Sequence, residues 1–461
     1  MGQPTRSIVP SADSRKFLRR GYALSLASLI VACGTTATTQ QNVTPSLPDQ
    51  AQVVAPSQNN LGTPDGTASA LVSTAAATLN DPTQTAVLIW WPAGLYPTQK
   101  SPAASVIAGQ LNGYQKATGT TVTIRVKRND GVGSIYETLS SGSVAAPSVM
   151  PDLALMRRDD LIKAVGGKLI EPLDLKALSM DDLYPSGFAL GQVNGIQYGL
   201  PFALEVEHTV YRTAAFTSPP RSTADLINTG QPLLFAAATA KGVNRTFLQQ
   251  YLAAGGTLAD SKGAPTLDAA PLRELLRYYE QAVSDRIVGP TLLVYTDSSQ
   301  YWPDFLAGKI NVVVIDSTTY LVQQPALANV GIAPVLMTTQ VSASPISSVD
   351  GWLWVVTTPN PNRQARALSV LGWFMAPDHQ GAFTQAFGVL PSRRTACTAW
   401  TDTKYAAFAG TLLGAKAAPP PDLIDSVVAA ALQKAFEDVL SGRKTSDVAT
   451  NDALAQVTAP K

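Results

Sequence analysis

Short apolar runs alternate with helix-length amphipathic stretches from residue 86 onward, and that rhythm restricts the chain to an α/β fold. Ala86-Val87-Leu88-Ile89-Trp90-Trp91 is ended by Pro92 and reads as a buried parallel strand. Val122, Ile124 and Val126 alternate with polar residues, as in a half-buried strand. Between them, Ser105 to Thr118 predicts a helix closed by Gly119. Asp152 to Met156, Val312 to Ile315 and Trp352 to Val356 predict further strands. Apolar stripes at helical spacing occur at Leu272, Leu275, Leu276 and Tyr279, at Leu368, Leu371, Phe374 and Met375, and from Ile424 to Val439.

The N-terminal segment has a different logic. Arg15, Lys16, Arg19 and Arg20 precede an apolar run from Tyr22 to Ala32 that is too short for a permanent membrane span, and Cys33 follows small and aliphatic residues. This is the layout of a lipoprotein export signal: residues 1–32 are expected to be removed and Cys33 to be acylated, which anchors the protein to a membrane outside the cytoplasm. Residues 34–84 hold Thr, Gln, Asn, Ser, Pro and Ala with almost no aromatic or charged side chains, and are expected to form a flexible tether.

Charge and cysteine content narrow the function. Lys plus Arg number 34 against 33 Asp plus Glu, and no Lys/Arg run lies outside the signal, so nucleic acid is not an expected partner. With Cys33 lipidated, Cys397 has no partner in the chain and is expected to be a buried thiol, leaving stability to a packed core. Only His208 and His379 are present, far apart, so no metal site and no cofactor is expected.

Several stretches, in order, resemble the extracytoplasmic solute-binding proteins of ATP-binding-cassette importers, in particular the carbohydrate-binding group with the maltose-type proteins. Pro151-Asp152-Leu153-Ala154-Leu155, Gly166 to Asp174 (Gly-Gly-Lys-Leu-Ile-Glu-Pro-Leu-Asp) and Gly195 to Phe202 carry the resemblance in the first part. Phe305 to Lys309, Asp350-Gly351-Trp352, the helix with Ala367 to Phe374, Gly388 to Arg393, Leu440 to Arg443 and Ala453-Leu454 continue it. Val210-Tyr211-Arg212-Thr213-Ala214 departs from the Tyr-Asn-Lys segment usual in that group. The resemblance implies two α/β lobes joined by hinge crossings, with the ligand held between them. The expected bilobal part covers residues 85–461, with one lobe from residues 85–200 and 311–350 and the other from residues 201–310 and 351–461. It also implies a monomer that hands its ligand, a sugar or related polyol, to permease subunits.

A sugar needs planar hydrogen-bonding groups and an aromatic platform, and ligands of open α/β sheets sit beyond strand ends. Candidates on those grounds are Trp91, Asp159, Glu205, Glu207, Asp316, Ser317, Asp350 and Trp352. Each has a structural competitor: core packing for the tryptophans, helix capping for Asp159 and Asp316, and a strand surface for the glutamates. Tyr301 and Trp302 could add an aromatic wall. No catalytic residue is assigned. An exported carbohydrate-active hydrolase using paired carboxylates such as Glu205 and Asp316, or a sensor module with a binding-protein body, are the alternatives.

Overall fold

The computed structural model describes residues 86–178, 180–239, 241–324, 327–336, 346–418 and 426–459. The export signal, Cys33, the tether and Ile424 lie outside the described residues. No helix among the described residues is long and apolar enough to cross a membrane.

The alternation forms a mixed α/β structure built on one sheet. Strands β1 (Ala86–Pro92), β2 (Thr121–Lys127) and β3 (Leu153–Met156) run parallel, with helix α1 (Pro102–Thr118) crossing from the first to the second. Helix α1 begins at Ser101, whose hydroxyl accepts from the Ala104 N–H, and ends at Gly119, at φ 73°. Helix α2 (Ile135–Ala145) links β2 to β3, and α3 (Arg158–Gly166) leaves β3 directly. The long strand β4 (Gly199–Arg212) then enters, followed by β5 (Leu233–Leu234), helices α4 (Arg245–Ala253) and α5 (Ala269–Ser284), β6 (Val312–Asp316), α6 (Ser317–Gln323) and β7 (Val330–Ala333). Strand β8 (Ile346–Val356) returns to the centre. The main strand order is β2-β1-β3-β8-β4-β6-β5, with β7 also paired to β4. Helices α7 (Pro361–Phe374), α8 (Pro377–Phe387), α9 (Thr403–Gly414), α10 (Ser426–Leu440) and α11 (Ser446–Thr458) complete the described fold.

The two faces of the sheet are packed differently. One carries a continuous apolar layer that includes Trp90, Ala154, Met156, Leu204, Val206, Val313, Ile315, Leu353 and Val355, with α2, α3 and α9 supplying the other side. The opposite face carries two separate cores. Val87, Ile89, Trp91, Leu153, Leu155, Ala203 and Trp354 pack against α7 and α8, whereas Tyr211, Val312 and Val314 pack against α4, α5, α10 and α11. The expected lobe allotment therefore differs from the packing. Trp352 to Val389 join the first half because β8 pairs with β3, and Val312 and Val314 join the second because β6 lies beyond β4.

Trp91 belongs to the first core and not to a ligand site. It is fully buried, its indole N–H donates to the Leu95 carbonyl at 2.9 Å, and edge-on contacts to Trp354 and Phe383 have centroid separations of 5.4 and 5.8 Å. His208 lies on the continuous face, enclosed by Tyr320, Tyr405 and Phe408. Its Nε2 is 3.1 Å from the Tyr405 hydroxyl and its Nδ1 is 3.3 Å from the Thr209 carbonyl. Burial disfavours the imidazolium and pushes the pKa down to about 4. Cys397 is a half-buried free thiol beside the Tyr184 hydroxyl.

Two outcomes follow from this packing. Trp91→Ala is expected to cost about 3–5 kcal/mol in urea unfolding, as for other large aromatic truncations in cores; a change below about 1 kcal/mol would place the side chain outside the core. The unfolded chain takes up a proton at His208 near pH 6.5, whereas the folded chain resists until about pH 4, so this contribution is intact above pH 6.5 and is lost as the pH falls to about 4. Wild type should lose about 2–3 kcal/mol more than His208→Gln between pH 7 and 4.5 in the same assay.

Candidate functional site

The gap between the two cores is lined by acidic residues because the side-chain pattern of the central strands changes there. Along one face of β4 the sequence runs Ala203, Glu205, Glu207, Thr209, Tyr211, while Leu204, Val206, His208 and Val210 face the apolar layer. Glu205 pairs across the ladder with Asp350 on β8, and Glu207 with Asp316 at the end of β6. Four carboxyl groups thus stand on adjacent strands, an arrangement that repels itself unless cations or strong donors intervene.

Two arginines, one from each half, supply the cations. Arg157, at the exit of β3, donates from both terminal nitrogens to Glu205 at 3.0 and 3.1 Å and reaches Asp350 at 3.1 Å. Arg245, the first residue of α4, reaches the same Asp350 oxygen at 2.7 Å. Burial opposes ionisation of Asp350, but the two guanidiniums outweigh it and hold its carboxyl below the ordinary range. The same balance raises both arginines: burial disfavours their charge and Asp350 restores it.

The other acidic pair is handled by neutral donors. Asp316 caps α6, accepting from the Thr319 N–H at 2.7 Å, the Thr319 hydroxyl at 2.8 Å and the Ser298 hydroxyl at 2.6 Å. Glu207 accepts only long bonds, from Thr246 and Gln249 at 3.3 Å each, and burial raises its pKa despite Arg245. It is the carboxyl group with most to gain from an incoming hydroxyl.

These groups border a cleft of about 850 Å³. Glu205, Glu207, Asp316 and Asp350 form one wall with Arg157 and Asp159; Lys241 to Arg245, Asp297, Ser298 and Tyr301 line it from the other half. The structure thus gathers Asp159, Glu205, Glu207, Asp316 and Asp350 in one place. Asp159 is exposed in the first turn of α3. Ser317 does not line the cleft: it is fully buried, and its hydroxyl accepts from the Val206 N–H at 3.2 Å. Trp352 lies just outside, covered by the Arg157 guanidinium at 4.4 Å from its ring centroid. Gly351 permits close strand packing, since a Cβ there would lie 2.4 Å from the Ala203 carbonyl oxygen. Trp302 is packed with Phe305 in the core, and Tyr301 presents a buried edge, its hydroxyl donating to the Val314 carbonyl.

The sequence reading missed Arg157 and Arg245. Arg157 was legible as the first residue after a buried strand, where ligands of such sheets gather; Arg245 was legible from Asn244, whose side chain caps α4 by accepting from the Phe247 N–H at 2.9 Å. Among the described residues no group of acidic, histidine and cysteine side chains is arranged to hold a metal ion.

Comparison with known proteins agrees with this geometry. The maltose-bound MalE3 of T. maritima superposes with a TM-score of 0.62 at 15% identity, covering 81% of this chain and 98% of that one. A cyclo/maltodextrin-binding protein complexed with maltotetraose gives 0.63 at 16% identity, covering 82% and 97%. An ABC transporter solute-binding protein from Thermotoga lettingae, bound with α-D-tagatose, gives 0.60 at 18% identity, covering 81% and 98%. At these identities the likeness establishes the fold. No curated protein matches the sequence. Residues 110–410, most of the described chain, match the family described as bacterial extracellular solute-binding protein, and the chain belongs to that family.

Proposed function

We propose that the chain is the lipid-anchored, extracytoplasmic substrate-binding subunit of an ABC importer, and that it binds a sugar or related polyol and delivers it to the permease. The observation that carries this reading is the cleft between the two cores, where carboxylates and arginines of both signs are fixed in place. Hydroxyl groups both donate and accept, so a neutral polyhydroxylated ligand can bond to such a mixed wall without bringing a charge that one sign would repel. The neighbours described above include proteins crystallised with maltose, maltotetraose and tagatose, which supports the same ligand class.

Closure would supply the signal. Glu205, Asp350 and Arg157 contact a ligand from one side and Arg245 and Lys241 from the other, so a closed form that makes both sets of contacts is favoured by ligand in proportion to that difference. Delivery to a permease would then depend on recognition of the closed form. The proposed anchor at Cys33 and the tether of residues 34–84 would let a monomeric binding body reach ligand and permease.

We infer binding without bond cleavage. A hydrolase of the two-carboxylate type needs one free acid and one free base across the scissile bond. Glu205 is held by the Arg157 fork and Asp316 is committed to capping α6, so neither is poised for proton transfer.

Calorimetric titration with glucose, tagatose, maltose and maltotetraose tests the ligand class, and heat from at least one sugar is expected. Glu207→Gln should weaken that binding by roughly tenfold, since it replaces a charged acceptor with a neutral one. The variant should keep or raise its unliganded melting temperature, because it removes a buried charge; equal weakening of stability and binding would count against a ligand contact. Metabolic labelling with palmitate should mark the wild-type protein and not Cys33→Ser, which should leave the membrane fraction.

A further inference from the structure

A second cavity of about 330 Å³ adjoins the main cleft, and the two share Arg157, Asp159 and Lys163 in their walls. Its remaining lining comes from the segment between β2 and α2, from α3 and from Trp352, all packed with the first half of the molecule. No residue of α4, or of the Lys241 to Asn244 segment that lines the main cleft, reaches it. Arg157 stands at the junction, stacked on Trp352 and fixed in its plane by Glu205 and Asp350.

We propose that this side cavity is a second ligand subsite, built on the first half alone, that takes one sugar unit of a ligand whose neighbouring unit lies in the main cleft. The inference rests on the sugar reading above and extends it to a ligand of at least two linked units. The walls are built and not incidental. The Asn129 carbonyl oxygen accepts from the Gly94 N–H at 2.7 Å, and a Cβ on Gly94 would lie 2.6 Å from the Asn129 amide nitrogen, so the loop fits only against a glycine. Ser134 caps α2, accepting from the Glu137 N–H at 3.3 Å. Lys163 is held by Asp160 at 2.8 Å and lies 5.3 Å from the Tyr136 ring centroid.

The chemistry of the lining selects the occupant. Asp130, Glu137 and Asp159 offer acceptors, while Lys163, Arg157 and the Asn129 amide offer donors. Donors and acceptors at close quarters suit vicinal hydroxyls, which use both, better than an ion of either sign. Because no wall comes from the second half, a unit seated here is held before the halves close. The first half would then capture the ligand, and closure would complete contacts to the adjoining unit.

The test compares single-unit sugars, glucose and tagatose, with linked ones, maltose, cellobiose, trehalose and maltotetraose, by calorimetry on wild type and on the double variant Asp130→Ala/Glu137→Ala. Both substituted residues are exposed, and unchanged melting temperature serves as the folding control. At least one linked sugar should bind wild type more tightly than any single-unit sugar. The double variant should weaken that linked sugar by roughly tenfold or more while leaving any single-unit binding unchanged. Tightest binding of a single-unit sugar, or linked-sugar affinity that ignores the double variant, overturns the subsite and leaves the sugar reading standing. No heat from any of the six sugars overturns both.

Discussion

Four carboxyl groups set side by side on three adjacent strands are the constraint around which the cleft is organised. Glu205 faces Asp350 and Glu207 faces Asp316 in register, so the centre of the sheet would repel itself if left alone. Arg157 and Arg245 answer the first pair from opposite halves, and both bond to the same oxygen of Asp350. Removing one partner from such a partly buried network exposes the remaining charges to each other, so the network favours one arrangement of its members. Asp316 is satisfied by backbone and hydroxyl donors, and Glu207 alone is left with weak partners. The cleft therefore combines a rigid charged floor with one under-bonded acceptor.

The asymmetry of the sheet makes this possible. A single apolar layer runs behind both halves, so the central strands stay paired and dry on that side. On the other side the apolar cover is interrupted where β4 reads Glu205 and Glu207 and β6 ends on Asp316. A one-residue register slip in β4 would exchange these glutamates with Val206 and His208, burying charge and exposing core, which is why the pairing is strongly specified. The long central strands consequently serve both as the link between the halves and as the wall of the site.

Much of the fold was legible in the sequence where local pattern and tertiary environment agree. The strand from Ala86, the helix ending at Gly119, the strand from Leu153 and the stripe from Leu272 to Tyr279 each carry their own periodicity and a terminating residue. Strand β4 was less legible: Pro201, two glutamates and a histidine break the apolar pattern, because one half of its length faces the cleft. The start of β8 was missed since Ser347 and Ser348 are buried without being apolar. Site residues divided along similar lines. Carboxylates at strand ends were found from residue type and position, but Trp91 and Ser317 have the same local signature and are buried by neighbours distant in sequence. Arg157 and Arg245 gain their meaning only from Asp350, which lies more than a hundred residues away from each.

Arg157 carries four geometric demands at once: a forked bond to Glu205, a contact to Asp350, a flat face against Trp352 and a place in the walls of both cavities. A lysine could keep the charge but has neither the fork nor the plane, so the usual like-for-like exchange is closed at this position. Divergence of ligand preference among descendants of this chain would accordingly have to proceed around a fixed guanidinium, by altering the loops that rim it, and not through it.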